Sequence, residues 1–338
     1  MSETRAILED TCAKLFARFE EPAVLRRVEE TGDCAEVWAA VAEQGLDQIF
    51  SGGSDDPWRD ACVVLKACGR HVLPAPLAET LMAGAVLGEA APEGPLTLAA
   101  PAQSELTVGH DGNLTGRLDR VAWGGAARHV VAEAVGRAVV LPVSSARLHT
   151  DRTISREPRD TLLFIDAKPV GSAPRDGQPT AIGALMRAAQ MAGCIEAVLA
   201  MTVQYARDRQ QFGKPIGSFQ AIQHQLAILG GHAAAASRVV DAAFDRIAAT
   251  NASPEVLLNE AAFTKIRCGE AAGVAASIAH QTHGAIGFTD EHRLHYFTRR
   301  LWSWRSEFGS EAHWSAILGR QVAATGADAY WPMVTAAG

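Results

Sequence analysis

The period of the apolar positions changes twice along this chain. Up to about residue 90 they recur at helical spacing: Leu8, Cys12, Leu15 and Phe16 share one face, and Trp38, Val41, Ala42 and Leu46 share another before the turn at SGGSDDPW. Two more helical stretches follow, DACVVLKACGRHVL and PLAETLMAGAVL, separated by the break at Pro74 and Pro76. From Leu96 to about Val170 the pattern becomes short apolar runs between turn residues, among them LTLAAP, ELTVG, HVVAEAV, GRAVVLPV and TLLFIDAKPV. Their Val and Thr content, punctuated by Gly, Asn and Asp, predicts strands, and HDGN after ELTVG predicts a turn.

After GSAPRDGQP the helical period returns and persists to the end. AIGALMRAAQMAGCIEAVLAMTVQYARDR predicts one long helix, and GSFQAIQHQLAILGGHAAAASRVVDAAFDRIAA a second, with Ser218 as its N-cap. A third opens at Ser253-Pro254, serine as N-cap and proline at the first helical position. A shorter helix and a final one, EAHWSAILGRQVAATG, complete the chain. Long alanine-rich helices joined by short loops predict an antiparallel bundle. The expected organisation is α+β: an N-terminal helical domain over 1–93, a middle β domain over 94–175, and a C-terminal bundle of four or five helices over 176–338.

Composition narrows the function. The chain has 338 residues and a net charge of -7, which disfavours nucleic acid or an anionic membrane as the main partner. The six cysteines are scattered without a CxxC, as expected of reduced thiols. The acidic, amphipathic start lacks the apolar stretch of a signal peptide, and no apolar run reads as a membrane span. These features predict a cytoplasmic protein. His280/His283 and His292/His295 are spaced i, i+3, but no carboxylate completes a site, so no metal is expected. There is no GxSxG elbow, GxGxxG turn or Walker loop.

The stretch RDRQQFGKPIGSFQAIQHQLA, residues 207–227, mixes arginines, an FG pair, a Lys-Pro break and several glutamines. A packing helix does not need that mixture; it suits contact with something charged and planar. With QTHGAIGFTDEHRLHYFTRR and RSEFGSEAHW following in order, the C-terminal half resembles the acyl-CoA dehydrogenase family. The resemblance implies an FAD at a subunit interface and an acyl-CoA substrate desaturated between its α and β carbons. A carboxylate removes the α proton, a hydride leaves the β carbon for the flavin, and an electron-transfer flavoprotein or similar acceptor receives the electrons. It also implies residue roles. Arg209 meets the FAD diphosphate, a task suited to the planar guanidinium donors. Phe212 and Gly213 make a close turn against the cofactor, Gln220 hydrogen-bonds the same region, and Gln281 and Gly284 approach the adenosine end. Glu307 stands at the family's main position for the base, with Trp302, Trp304 and Phe308 as an apolar wall able to raise its proton affinity. The other position some members use, around Gly183, holds no carboxylate.

The chain also departs from the family pattern. The β-domain residues that hold the flavin ring are replaced, leaving Trp123 as the one aromatic stand-in. Phe308 and Gly309 replace a small residue and a threonine, and Ala285 replaces a glycine where backbone must approach phosphate. Groups that reach a neighbour's FAD are kept, while those that hold the chain's own are lost. The resemblance is therefore to one subunit of a heteromeric enzyme, similar to the two-subunit dehydrogenases that bacteria use on steroid side-chain CoA thioesters. A longer dehydrogenase subunit is then the expected partner (a homo-oligomer otherwise), with the base on Glu307 or on that partner. The alternative is a non-catalytic, flavin-lacking assembly or binding subunit of the same fold.

Overall fold

The computed structural model describes residues 3–174 and 178–335. Five helices come first: α1 (Glu3–Ala17), α2 (Pro22–Thr31), α3 (Ala35–Glu43), α4 (Pro57–Arg70) and α5 (Leu77–Leu87). Cys12, Leu15 and Phe16 turn inward from α1 as their spacing requires, and on α3 the inward residues are Val37 and Val41, with Trp38 only half-buried.

Eight strands follow: β1 (Leu96–Leu98), β2 (Ser104–Val108), β3 (Leu114–Ala122), β4 (His129–Ala134), β5 (Arg137–Pro142), β6 (Ala146–His149), β7 (Arg159–Ala167) and β8 (Gly171–Pro174). They form two four-stranded sheets, ordered β1-β4-β5-β8 and β2-β3-β7-β6, with β1 parallel to β4 and every other pair antiparallel. HDGN makes the β2–β3 turn, where Gly109 N donates to Asn113 O at 2.8 Å and Gly112 takes φ 84. Leu118, Val130, Leu141, Leu162 and Phe164 fill the space between the sheets.

Apart from connecting turns and one small hairpin, the rest of the described residues are helical: α6 (Pro179–Asp208), β9 (Gln210–Gln211), β10 (Lys214–Pro215), α7 (Gln220–Ala249), α8 (Pro254–His283), α9 (Leu294–Ser306), α10 (Glu311–Thr325) and α11 (Ala327–Thr335). Helices α6 and α8 point the same way. Gln178 Nε2 donates to Pro254 O at their start, 3.0 Å, and Tyr205 Oη donates to His283 O at their end, 3.3 Å. Helix α7 returns between them, and α9 returns along α8, joining it through His280–Thr298 and Lys265–Arg305. Ser253 stands at the N-cap of α8 with Pro254 at the first turn, though its side chain makes no cap bond. Ser218 does not cap α7. Its hydroxyl donates to Pro215 O at 2.7 Å inside a tight turn, and Phe219 takes the cap position. A serine beside a Pro-Ile-Gly turn finds a nearer carbonyl than the helix amides.

One sequence reading needs correction: α6 is long and apolar enough to cross a membrane by length and composition, but most of that apolar window is buried inside the fold. It is the axis of the bundle, packed by α4, α5, α7, α8 and α9. The N-terminal helices join it at a backbone-to-backbone crossing. A Cβ at Gly69 would lie 1.8 Å from Gln190 O, and one at Gly193 would lie 1.9 Å from Lys66 O. Only glycine allows α4 and α6 to approach this closely. Gly193→Ala is therefore expected to lower the unfolding free energy by about 1–3 kcal/mol or more, measured by urea or thermal melts. An unchanged melt would show that the helices are not in backbone contact.

Candidate functional site

Helix α9 ends at Ser306, and the next three residues make a sharp reversal. Glu307 is extended, Phe308 takes φ 52 and Gly309 φ 97. Trp314 Nε1 donates to Phe308 O at 3.0 Å, and Lys265 Nζ donates to Arg305 O at 2.5 Å and Gly309 O at 2.8 Å. The Phe308 ring lies flush against Gly183 of α6, where any Cβ would come within 2.3 Å of it. The position without a carboxylate on α6 is thus the position that admits the phenyl ring.

This reversal delivers Glu307 between two arginines. Oε1 accepts from Arg159 Nη2 at 2.5 Å and Oε2 lies 2.9 Å from Arg187 Nη2. Arg187, on α6, also donates to Glu79 Oε1 of α5 at 2.7 Å and to Gln190. Arg159, at the start of β7, lies 3.9 Å from Glu157. Glu157 accepts from Trp304 Nε1 at 3.0 Å and Ser155 Oγ at 2.9 Å, and is 3.6 Å from Arg300. Arg300 and Arg299 both close on Glu29 of α2, at 3.2 and 3.1 Å. The charges therefore run unbroken from the N-terminal helices through the β region into the bundle. Most of these side chains are buried, and an unpaired charge there would be severely destabilising.

The electrostatics of Glu307 follow from this setting. Burial works to raise its pKa, but the charges of Arg159 and Arg187 outweigh burial and hold it below the ordinary carboxylate value. Burial pushes Lys265 down to about 8, against the pull of Glu307 and Glu311. A base for a weakly acidic C–H bond needs raised proton affinity and a free lone pair facing substrate; Glu307 has lowered affinity and a guanidinium on each oxygen. The space beside it, lined by Leu98, Gln103, Arg120, Ser306 and Phe308, is about 50 Å³. Ligand pockets are typically about 300–1,000 Å³. This space is smaller than a typical ligand pocket.

The apolar wall differs from the sequence expectation as well. Trp304 is buried but spends its indole N–H on Glu157, while Trp302 is 48% exposed beneath the Arg305 guanidinium. Of the three aromatics, Phe308 packs at the turn itself. Trp123 is 2% exposed with φ 55 and has no face to offer a cofactor.

The opposite end of the bundle is open. Arg209 follows α6, its N–H donating to Tyr205 O at 2.9 Å and its carbonyl accepting from Ile216 N at 2.8 Å. Between them β9 and β10 pair across a two-residue turn in which Phe212 takes φ 53 and Gly213 φ 79. Two left-handed residues suit the twist of a hairpin, but the first is normally Asn or Asp. Phenylalanine there is strained, and it is 91% exposed. Lys214 Nζ lies 4.4 Å from the Phe219 ring, and Phe219 meets Phe212 edge-on at 6.1 Å. Arg209, Gly213, Gln220, Gln281 and Gly284 are all exposed. The pairing of Tyr205 with His283 joins the ends of α6 and α8, and α7 begins just after the hairpin. The structure thus gathers Arg209, Phe212, Gly213, Gln220, Gln281 and Gly284 at one end of the bundle and sets Glu307 apart from them.

The histidines contribute aromatic contacts: His280 stacks on Phe288 at 4.1 Å, and His283 lies between Tyr205 at 4.3 Å and His292 at 4.6 Å. Among the described residues, no group of three or more His, Cys, Asp or Glu is placed to hold a metal ion. The sequence reading missed Glu79, Arg159, Arg187 and Lys265. Arg187 carried a signal: it is the lone charge between Ala181 and Ile195 on an apolar helix, and a charge so placed must be paired.

Comparison with known proteins accords with this architecture. The profile of the acyl-CoA dehydrogenase C-terminal domain matches residues 178–323. The acyl-CoA dehydrogenase IpdE2 of Mycobacterium tuberculosis is 32% identical over 309 residues, covering 88% of this chain and 91% of that protein. IpdE2 of Mycolicibacterium smegmatis is 29% identical over 317 residues, covering 89% and 93%. The chain belongs to the acyl-CoA dehydrogenase family. Two solved structures share its fold at 22% identity. The ChsE4–ChsE5 complex of Mycobacterium tuberculosis has a TM-score of 0.85 over 97% of this chain and 99% of that one. A variant of the Tcur3481–Tcur3483 steroid ACAD has 0.86 over 96% and 98%.

Two outcomes test the charge network. Arg187→Met leaves Glu79 and Glu307 without their shared cation and is expected to cost about 3–5 kcal/mol in urea unfolding; a loss below 1 kcal/mol would contradict the pairing. Glu307 is more acidic folded than unfolded, so its ionised form stabilises the fold above the unfolded carboxylate pKa of about 4.3. That contribution is lost as pH falls through the lower folded value. Stability curves of wild type and Glu307→Gln should therefore separate above about pH 4 and approach each other below it. Curves that stay parallel would remove the lowered pKa.

Proposed function

We propose that this chain is the flavin-clamping subunit of an FAD-dependent acyl-CoA dehydrogenase that works with a longer partner subunit. The partner holds most of the FAD and carries the base, and the substrate is an acyl-CoA thioester whose acyl group is a steroid side chain. One contrast carries the reading: the chain's own cleft is closed around Glu307, while its arginine-bearing end is open and strained outward at Phe212. The steroid substrate and the two-chain assembly draw support from the structural neighbours, one a steroid ACAD named for two chains and the other a complex of two proteins.

The end of the bundle has the donor set a dinucleotide requires. The Arg209 guanidinium would neutralise the diphosphate, and the Gln220 and Gln281 amides would hydrogen-bond it and the adenosine side. The Phe212 ring offers a flat apolar cover, and Gly213 and Gly284, at φ 79 and φ 64, let backbone come close without a Cβ. When bound, FAD supplies the redox chemistry by accepting the hydride. This chain's own part is to hold the dinucleotide in place and to keep its vestigial cleft shut to water and thioester. Electrons then pass to an electron-transfer flavoprotein or similar acceptor in the cytoplasm.

The closed cleft also favours a second reading, a flavin-lacking assembly subunit whose exposed hairpin meets only protein. The two separate on Arg209. In the complex purified with its partner subunit, Arg209→Ala is expected to weaken FAD about 10–100-fold, the worth of a charge-assisted hydrogen bond, while assembly persists. Unchanged FAD affinity in an intact complex would favour the assembly subunit.

A further inference from the structure

The groups proposed to meet the dinucleotide lie on two separate helix ends, and their spacing depends on what joins those ends. Tyr205, in the last turn of α6, and His283, the last residue of α8, make that joint. Their rings stack at 4.3 Å and 26°, and Tyr205 Oη donates to His283 O at 3.3 Å. Each is tied directly to a contact residue, Tyr205 by a backbone hydrogen bond and His283 by the chain itself. Tyr205 O accepts the Arg209 N–H at 2.9 Å, and His283 leads directly into Gly284, whose N–H donates to His280 O. The imidazole is itself fixed. Ala279 O can only accept, so the 2.7 Å contact to Nδ1 places the proton there, and Nε2 is buried without a partner. His292 closes the other side at 4.6 Å and 63°. His283 is 3% exposed, so it reaches no solvent-borne ligand itself. An aliphatic side chain in place of either ring would fill the same volume but would lose the stack that sets the angle between the helix ends, and at position 205 it would also lose the hydroxyl bond to His283 O.

We propose that Tyr205 and His283 are positioning residues: their stack sets the separation of Arg209 from the Gln281–Gly284 turn, so that both engage one FAD. This rests on the flavin-clamping reading above. The test measures FAD affinity of the complex with its partner subunit, by flavin fluorescence, for Tyr205→Leu, His283→Leu and Tyr205→Phe, each alone and with Arg209→Ala. Either leucine variant should weaken FAD about 3–10-fold alone and add nothing once Arg209 is removed, since coupled residues are non-additive. Tyr205→Phe, which keeps the stack, should recover most of that loss. Full additivity with Arg209→Ala, or leucine variants that bind FAD normally, would overturn the inference and leave the clamp standing. Arg209→Ala with unchanged affinity would overturn both. Amide hydrogen exchange on the full chain alone gives an independent readout: Tyr205→Leu should speed exchange at Arg209 and Gly284 together, with the α4–α6 crossing unaffected. Protection unchanged at either amide would also overturn it.

Discussion

The arrangement of this molecule depends on the grip of Arg159 and Arg187 on Glu307. Three segments far apart in sequence supply the charges, and none could be buried alone. Arg187 extends the grip to Glu79 on α5, and Glu157 extends it through Arg300 to Glu29 on α2. Helices, sheets and bundle are thereby registered against each other by charge as well as by apolar contact. The consequence for chemistry is direct. A carboxylate whose two oxygens face guanidinium groups is a poor proton acceptor, whatever its burial.

Closure of this cleft and openness of the hairpin end follow from one turn and one glycine each. Phe308 can pack against α6 beside Glu307 because Gly183 leaves room for a phenyl ring. Phe212 can project into solvent because it and Gly213 accept left-handed backbone at the hairpin tip. An exposed, strained aromatic is a cost in an isolated chain and makes sense where a partner or cofactor covers it. The fold thus leaves the hairpin end exposed and the space beside Glu307 filled.

Much of the architecture was legible because it depends on local pattern. Long alanine-rich helical periods, the strand runs after Leu96 and the HDGN turn all report their own backbone. Ser218 misled because a serine near a helix start has two carbonyl and amide neighbourhoods to choose from, and the nearer turn won. The grouping of Arg209 with Gln281 was readable only through family resemblance, since the Tyr205–His283 joint that unites them links residues 78 apart. The environment of Glu307 was not readable at all. Arg159 and Arg187 lie 148 and 120 positions away, and nothing in a single sequence says which distant cation meets a given carboxylate. A lone arginine inside the apolar run of α6 announced that some buried acid must exist without saying which.

The claim that this chain contributes no base can be tested by turnover of the assembled, flavin-loaded complex carrying Glu307→Gln. If the base lies on the partner, the acyl-CoA desaturation rate stays near that of wild type once FAD content is matched. A fall of about 10²–10⁴-fold, the usual contribution of a general base, would place proton abstraction on Glu307 and contradict the account.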